Sequence, residues 1–238
     1  MNRAALVTGG SSGIGLATGQ MLARNGFALT ILGRTAGKLK QAVKELEEGG
    51  TDVVGEVVDV ADAGSIATAV KGHADRHGRL DVLVNSAGVL GAGALEDYSV
   101  EQVDEVLDVD LRATVLSCLA ALGLLRTAGA EHGRALIANI ASISGKRGDA
   151  GFSVYCAAKF GVVGFTQSIR QELAGDGIGA CAICPGLVDT HMGDWARGWA
   201  RPEMMLQPGD VASAIEALLD KAADDVPPEL VLENRRQV

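Results

Sequence analysis

The stretch Thr8-Gly9-Gly10-Ser11-Ser12-Gly13-Ile14-Gly15 decides the fold, because it joins the first apolar run of the chain to an amphipathic segment. Glycines at such a junction let the backbone turn sharply and let a pyrophosphate group approach the N-terminus of the helix that follows. Gly9, Gly13 and Gly15 have the spacing G-x-x-x-G-x-G, so an ordinary glycine-rich turn stays open as the alternative. A strand before the turn and a helix after it favour a dinucleotide site.

Outward from this turn, short β-branched runs alternate with amphipathic segments along the chain. Strands are predicted at residues 4–8, 28–32, 52–58, 80–84, 134–140, 178–184 and 229–233. Helices are predicted at residues 13–25, 36–48, 63–77, 100–128, 153–174 and 209–221. This alternation predicts one α/β domain over residues 1–238, a Rossmann-type, doubly wound parallel sheet of about seven strands with helices on both faces.

Composition excludes several function classes. The chain has 238 residues, 47% of them apolar, which suits a large buried core rather than a disordered or fibrous protein. A net charge of −9 and the lack of any basic block argue against nucleic-acid binding. The first residues enter a strand without a signal peptide, and the longest nearly apolar run, residues 115–125, is too short to span a bilayer. We therefore expect a soluble cytoplasmic protein that binds neither nucleic acid nor membrane.

The cysteines and histidines predict no metal site. Cys181 and Cys184 form a C-x-x-C within a predicted buried strand, where small apolar thiols fill the core. The alternative, a redox pair, would be expected at a helix N-terminus. Histidines 73, 77, 132 and 191 form no H-x-x-H or H-E-x-x-H pattern.

Arg34 bears on the choice of cofactor. It ends the second predicted strand in Ile31-Leu32-Gly33-Arg34-Thr35, where a site that prefers NAD would offer a carboxylate to the ribose. No carboxylate is present, and the guanidinium of Arg34 can pair with the 2′-phosphate of NADP. Alternatively, Arg34 is a solvated charge at the start of a loop. We predict NADP(H), with NAD(H) the less favoured cofactor.

Tyr155 and Lys159 are the candidate acid/base pair. Positions i and i+4 share one face of a helix, so the ammonium of Lys159 can lie near the phenol and lower its pKa. Such a phenol can give a proton to a carbonyl oxygen as a hydride reaches the carbon, or accept one in reverse. Ser142 follows the fifth predicted strand, and its hydroxyl can hold the substrate oxygen beside the phenol. Ser144 is a competing candidate, and a loop-capping role for Ser142 stays open.

Taken together, these motifs resemble the short-chain dehydrogenase/reductase family in its compact form. The similarity covers nearly the whole chain, because the motifs follow one another in the family's order and spacing. They are Thr8 to Gly15, Asp59-Val60, Asn85-Ser86-Ala87-Gly88, Ser142, Tyr155-Cys156-Ala157-Ala158-Lys159, and Pro185-Gly186 with Thr190.

The resemblance implies a role for each motif in binding the cofactor. The turn residues Gly9, Ser11, Ser12, Gly13, Ile14 and Gly15 would receive the pyrophosphate. Asp59 and Val60 would flank the adenine, and Asn85, Ala87 and Gly88 would line the cleft. Lys159 and Tyr155 would also meet the nicotinamide ribose, and Pro185, Gly186, Val188 and Thr190 would contact the nicotinamide end. The Gly33-Arg34 pattern resembles that of NADP-preferring members.

Asp110 departs from the family's catalytic tetrad, which has an asparagine in a V-N-L motif where this chain reads Val109-Asp110-Leu111. Aspartate is nearly isosteric with asparagine, so the fold should tolerate it. Its negative charge would favour the ammonium of Lys159 but oppose phenolate formation at Tyr155. We expect activity with an altered pH profile.

The C-terminus also departs, because the chain lacks the V-x-G-G segment with which many relatives end. Homodimers or homotetramers are expected from the resemblance, with helices 100–128 and 153–174 as the dimer surfaces. The alternative is that both helices simply cover the sheet.

Residues 186–208 contain Met192, Trp195, Trp199, Met204 and Met205, which predict an apolar lid or, equally, a loop packed against the body. Lys146 and Arg147 would attract an anionic substrate or be solvated loop charges. An acyl-carrier-protein thioester is a less favoured substrate, because acidic Glu131 and Asp176 stand where reductases of that class have basic docking residues.

Two function classes follow. The first is an enzyme that interconverts a ketone or aldehyde and an alcohol with NADPH, on a small or moderately apolar molecule. The second is a cofactor-binding regulatory or scaffolding protein in which Asp110 impairs catalysis. The intact Ser142, Tyr155 and Lys159 favour the enzyme.

Overall fold

Seven parallel strands form one sheet in the computed structural model, which describes residues 3–198 and 200–234. The strands are β1 (Ala4–Thr8), β2 (Ala28–Gly33), β3 (Val53–Val57), β4 (Val82–Asn85), β5 (Ala135–Ile140), β6 (Ile178–Pro185) and β7 (Glu229–Leu232). Their order is β3-β2-β1-β4-β5-β6-β7, so the direction of winding reverses between β1 and β4. This arrangement confirms the predicted Rossmann-type sheet.

Helices cover both faces of the sheet. They are α1 (Gly13–Arg24), α2 (Ala36–Glu47), α3 (Ala63–His77), α4 (Val100–Leu107), α5 (Ala113–His132), α6 (Ser153–Glu172) and α7 (Pro208–Glu216). Alternate residues of a strand point to opposite faces. In β1, Ala5 and Val7 accordingly join the core formed with α1, α2 and α7, whereas Leu6 joins the core formed with α3 and α5.

The helix predicted over residues 100–128 is observed as one continuous helical stretch, Val100–His132, with a π-helical turn that the prediction missed. The chain forms α4, a π-helical segment Asp108–Arg112 and then α5, which continues to His132. A π-helical turn admits one extra residue per turn and commonly occurs at functional sites. Here the Asp110 carboxylate accepts a hydrogen bond from the backbone N–H of Val89 at 3.0 Å, and this contact fixes the widened turn.

The last predicted helix is shorter than expected, because α7 ends at Glu216 and residues 217–221 continue as tighter turns with hydrogen bonds between residues three apart. The other predicted elements differ from the observed ones by at most two residues at either end.

The stretch Val100–His132 is long and apolar enough to cross a membrane by length and composition, with a mean hydropathy of 1.5 in its most apolar window. In the fold, Ala121 and Leu125 face the core, whereas Leu119 is 68% exposed. Phe160 on α6 is 47% exposed. The predicted subunit contact through α5 and α6 stays a prediction.

Both C-x-x-C cysteines are buried in β6, as predicted for core residues. Burial raises the pKa of the Cys181 thiol to about 12 and that of Cys184 to about 11, so both stay protonated at neutral pH. Within residues 3–198 and 200–234, no three His, Cys, Asp or Glu side chains are arranged to hold a metal ion.

A buried ion-pair network joins β1, β4 and α5. Asp81 is 2% exposed and accepts hydrogen bonds from the Arg79 guanidinium at 2.7 and 3.0 Å and from the backbone N–H of Ala4 at 2.8 Å. His132 Nε2 lies 2.7 Å from the same carboxylate. Burial by itself raises the pKa of Asp81, but these donors outweigh burial and hold the pKa below its usual value.

We predict that Asp81→Asn lowers the free energy of unfolding by about 3 kcal/mol at neutral pH, because the guanidinium of Arg79 loses its buried counter-charge. The depressed folded-state pKa means that the carboxylate stabilises the fold above about pH 4, its unfolded pKa, and that this stability is lost as the pH falls through the folded pKa. Urea denaturation at pH 7 and pH 3 measures both effects.

The control is Asp75→Asn, which removes an exposed ion pair with Lys71 at 2.7 Å. It should change stability by less than about 1 kcal/mol. Equal losses from the two variants would contradict the assigned role of Asp81.

Candidate active site

The turn between β1 and α1 forms one end of a cleft at the carboxyl edge of the sheet. Gly13 has φ +53°, a left-handed conformation that L side chains rarely adopt. A Cβ on Gly15 would lie 2.3 Å from the carbonyl oxygen of Gly9, so only glycine lets α1 approach the turn. Ser12 precedes the helix without capping it through its side chain, which leaves the amides of the first helical turn available to an anion.

A cavity of about 1020 Å³ extends from this turn to the carboxyl ends of β4, β5 and β6. Its lining includes thirteen residues predicted for the site: Gly9, Ser12, Gly13, Ile14, Ala87, Gly88, Ser142, Tyr155, Lys159, Pro185, Gly186, Val188 and Thr190. The helix N-terminus and the acid/base pair therefore lie within one continuous cavity. An elongated dinucleotide with its phosphates at α1 and its reactive ring beside Tyr155 fits this arrangement.

A second, smaller cavity of about 180 Å³ adjoins the first beyond the turn, and Ser11, Arg34 and Val60 contribute to its lining. Lys38 lines it as well, one helical turn beyond Arg34, and sequence reasoning missed this second cation although the i+4 spacing was visible. The lining residues include no Asp or Glu among those described. Arg34 also lies 3.7 Å from the carboxylate of Glu105, which is not among the lining residues. Two cations in a lining without a carboxylate suit a phosphate group.

Three predicted cofactor residues have other positions. Gly15 packs the helix against the turn, as its close approach to Gly9 shows. Asn85 is buried at the end of β4, where its amide donates to Asn139 Oδ1 at 2.8 Å, so it supports the floor of the cleft. Asp59 is exposed and accepts a hydrogen bond from the backbone N–H of Ala61 at 3.0 Å.

Tyr155 and Lys159 lie one turn apart on α6, and both are buried, at 7% and 4% exposure. The ammonium nitrogen of Lys159 is 5.4 Å from the centre of the Tyr155 ring and donates a hydrogen bond to the carbonyl oxygen of Ile140 at 3.1 Å. Ser142, two residues beyond β5, lies near enough to Tyr155 for its hydroxyl to lower the pKa of the phenol. Because Ser144 instead donates its backbone N–H to Ser142 Oγ at 3.1 Å, the geometry favours Ser142 over Ser144.

Asp110 joins this group from the π-helical segment. Its side chain is buried at 1% exposure, and Oδ1 lies 3.6 Å from the ammonium nitrogen of Lys159. Oδ2 is buried and has no hydrogen-bond partner in the described part of the chain. The side chain of Asp110 therefore lies directly beside Lys159, the lysine that the sequence pairs with Tyr155.

Burial and neighbouring charges have opposing effects on the pKa values of Asp110, Tyr155 and Lys159. Burial raises the pKa of Tyr155, and Asp110 adds to the rise, although Lys159 and the Ser142 hydroxyl act in the other direction. Burial lowers the pKa of Lys159, but the carboxylate of Asp110 and the Tyr155 phenol more than offset this, so the ammonium is retained. Burial raises the pKa of Asp110 against the influence of Lys159.

Apolar side chains form part of the cavity wall. Phe152 and Trp195 pack with ring centres 5.2 Å apart and line the cavity together with Leu90, Leu187, Met192 and Met204. Of the predicted lid residues, Met205 is instead buried beside Ala196 and Ala200, and Trp199 lies outside the described residues. The segment thus combines both alternatives, because part of it faces the cavity and part of it packs on the body.

Comparisons with known proteins agree with this site. A model of the family described as short chain dehydrogenase matches residues 3–200. A Streptomyces virginiae protein named as the ketoacyl reductase of the monensin polyketide synthase is 43% identical over 198 residues, which are 82% of this chain and 74% of that protein.

Among solved structures, actinorhodin polyketide ketoreductase with NADPH superposes with a TM-score of 0.88 at 32% identity, covering 97% of this chain and 95% of that one. A short chain dehydrogenase from Burkholderia cenocepacia J2315 in complex with NADP gives 0.87 at 30% identity, covering 99% and 98%. Together with the fold and the site, these matches show that the chain belongs to the short-chain dehydrogenase/reductase family, whose members are oxidoreductases.

Proposed function

We propose that the protein is an NADPH-dependent oxidoreductase that interconverts a ketone or aldehyde and an alcohol, with Tyr155 as general acid and base. The observation that carries the proposal is the position of Ser142, Tyr155 and Lys159 at one end of a cavity that begins at the N-terminus of α1. NADP complexes of similar structures support the choice of cofactor.

Each part of the cavity has a role in this reaction. The bound cofactor supplies or accepts a hydride, and the α1 turn would hold its pyrophosphate, with Arg34 and Lys38 at the 2′-phosphate. The Ser142 hydroxyl orients the carbonyl oxygen, and the Tyr155 phenol donates a proton to that oxygen during reduction. The ammonium of Lys159 then stabilises the phenolate that remains.

The substrate is proposed to be a small or moderately apolar carbonyl compound, since Phe152, Trp195 and Met192 line the cavity beside Tyr155. The names of the relatives make ketoacyl thioesters a second candidate class. The acidic residues that disfavour a carrier-protein substrate are both in ion pairs within the chain. Glu131 pairs with Arg79, and Asp176 pairs with Arg126 at 2.8 Å.

The first test is a panel of aryl, alicyclic and aliphatic ketones, aldehydes and model ketoacyl thioesters, followed by NADPH absorbance. We expect turnover of at least one compound and a loss of kcat of about a thousandfold in Tyr155→Phe, which removes the acid but keeps the ring. Unchanged NADPH affinity in this variant is the control. NADPH binding without turnover, in both the native chain and Asp110→Asn, would favour the regulatory or scaffolding alternative.

Cofactor preference is tested by comparing NADPH and NADH affinities. Arg34→Gln and Lys38→Gln should each weaken NADPH binding by about tenfold and leave NADH binding nearly unchanged, because each removes one charge-assisted contact to the 2′-phosphate. Lys40→Gln, on the exposed part of α2, is the matched control. Equal losses for both cofactors would contradict the proposed preference.

The Asp110 carboxylate should set the pH dependence. Asp110→Asn removes the negative charge that opposes the phenolate, so the pKa of Tyr155 should fall. The rate of alcohol oxidation rises with pH because the phenolate acts as the base, and this rise should therefore move to lower pH.

Asp108→Asn is the control for this variant, because Asp108 lies in the same π-helical segment but its side chain is 43% exposed and lies 3.9 Å from Arg112. Its profile should match that of the native chain. An unchanged profile in Asp110→Asn would show that the carboxylate does not act on Tyr155.

A further inference from the structure

The last described residues of the chain, 229–234, lie next to two walls of the candidate site. β7 pairs with β6 from Ala182 opposite Glu229 to Pro185 opposite Leu232. The backbone N–H of Gly186 continues this pairing by donating to the carbonyl oxygen of Leu232 at 2.8 Å. We call residues 229–234 the C-terminal segment.

Glu229 holds the loop that carries the catalytic serine. This loop, residues 142–147, is called the serine loop, and Lys146 lies within it, four residues after Ser142. The ammonium of Lys146 donates to both carboxylate oxygens of Glu229, at 2.9 and 2.7 Å. The two side chains are 32% and 28% exposed, so the pair lies at the protein surface and is partly screened by solvent. Lys146 is therefore an exposed loop charge, as one of the two alternatives had it, and it is also held by an ion pair; attraction of an anionic substrate stays a prediction.

Two further contacts extend this attachment. Arg147 lies 3.9 Å from Glu233, which also lines the cavity. Beyond it, the side-chain amide of Asn234 donates to the carbonyl oxygen of Glu203 at 3.1 Å, in the 3₁₀ turn Pro202–Met204 of the lid segment. The C-terminal segment therefore contacts the serine loop and the lid at the same time.

The opposite side of the serine loop is fixed by α6. A Cβ on Gly145 would lie 2.7 Å from the carbonyl oxygen of Lys159, so the loop packs directly on the backbone of the catalytic helix. The thiol of Cys156 also contacts the carbonyl oxygen of Arg147 at 3.8 Å. With α6 on one side and β7 on the other, the position of Ser142 relative to Tyr155 depends on both contacts.

We propose that the C-terminal segment positions the serine loop and the lid for catalysis, with Glu229, acting through Lys146, as the principal positioning residue. The inference rests on the proposed function, because it assigns to Ser142 the task of orienting a carbonyl oxygen. Glu229 touches neither substrate nor cofactor and acts only by fixing the loop.

A graded set of variants tests the catalytic consequence. Glu229→Gln keeps one acceptor and should lower kcat by about threefold. Glu229→Lys places two ammonium groups together and should lower kcat by at least about tenfold, with NADPH affinity unchanged. The exchanged pair Lys146→Glu with Glu229→Lys restores opposite charges and should return kcat to within about twofold of the native chain.

Amide hydrogen exchange tests the attachment without any substrate. The backbone N–H groups of residues 144–147 bond within the loop, and in Glu229→Gln they should exchange about tenfold faster while the protection of α6 stays unchanged. Glu56→Gln is the matched control, because Glu56 lies on the opposite edge strand and pairs with Arg76 at 2.6 Å with 23% and 32% exposure. It should leave the serine loop and the kinetics unchanged.

Unchanged loop exchange in Glu229→Gln would overturn the inference, and so would a failure of the exchanged pair to restore the loss in Glu229→Lys. If Glu229→Lys does not fold, amide hydrogen exchange in Glu229→Gln still tests the inference. A native chain that turns over no carbonyl compound would instead contradict the proposed function, and the exchange measurement would still decide the attachment.

Discussion

The parallel pairing of β1 with β4 is the constraint on which the candidate site depends. The strand order reverses at this pair, so the turn after β1 and the loop after β4 lead to opposite faces of the sheet and leave a crevice between them. The hydroxyl of Thr8, at the end of β1, joins this strand to the loop after β4, because it accepts hydrogen bonds from the backbone N–H groups of Ser86 and Ala87 at 3.0 and 3.1 Å. This strand pairing places the cavity, the N-terminus of α1 and the Tyr155–Lys159 pair at the same edge of the sheet.

Burial of an ammonium group gives the site its electrostatic character. Lys159 is almost fully buried, and a buried charge requires a counter-charge and hydrogen bonds to offset its lost hydration. Ile140 supplies a carbonyl oxygen and Asp110 a carboxylate. The same carboxylate that stabilises the buried ammonium also reduces its influence on Tyr155, so the burial of Lys159 and the pKa of Tyr155 are coupled through one side chain.

The two edges of the sheet show how similar interactions acquire different consequences. On β3, Glu56 pairs with Arg76 and ties the edge strand to α3. On β7, Glu229 makes an equivalent pair, but its partner Lys146 belongs to the loop that carries Ser142. The chemistry is the same in both cases, and only the neighbouring element differs. An edge strand far from the cofactor turn thereby contacts the reacting end of the cavity.

The sequence by itself determined the alternation of strands and helices, the glycine-rich turn and the pairing of Tyr155 with Lys159. Each of these features depends on the local spacing of residue types: apolar runs indicate buried strands, and positions i and i+4 share a helix face. The burial of Cys181 and Cys184 followed in the same way, because they lie within one continuous apolar strand.

Only the tertiary structure decided which side chains meet across elements. The π-helical segment that directs Asp110 towards Lys159 depends on a contact with Val89, 21 positions away, and it leaves no trace in the periodicity. The place of Lys38 beside the Arg34 pocket and the inward turn of Asn85 were likewise set by packing. Lys146 and Glu229 are separated by 83 positions and come together because β7 joins the sheet beside β6. Local sequence patterns determine which segments form helices and strands. The way in which the helices between the strands pack on the sheet determines the neighbours of each side chain, and in this protein those neighbours set the charge and geometry of the site.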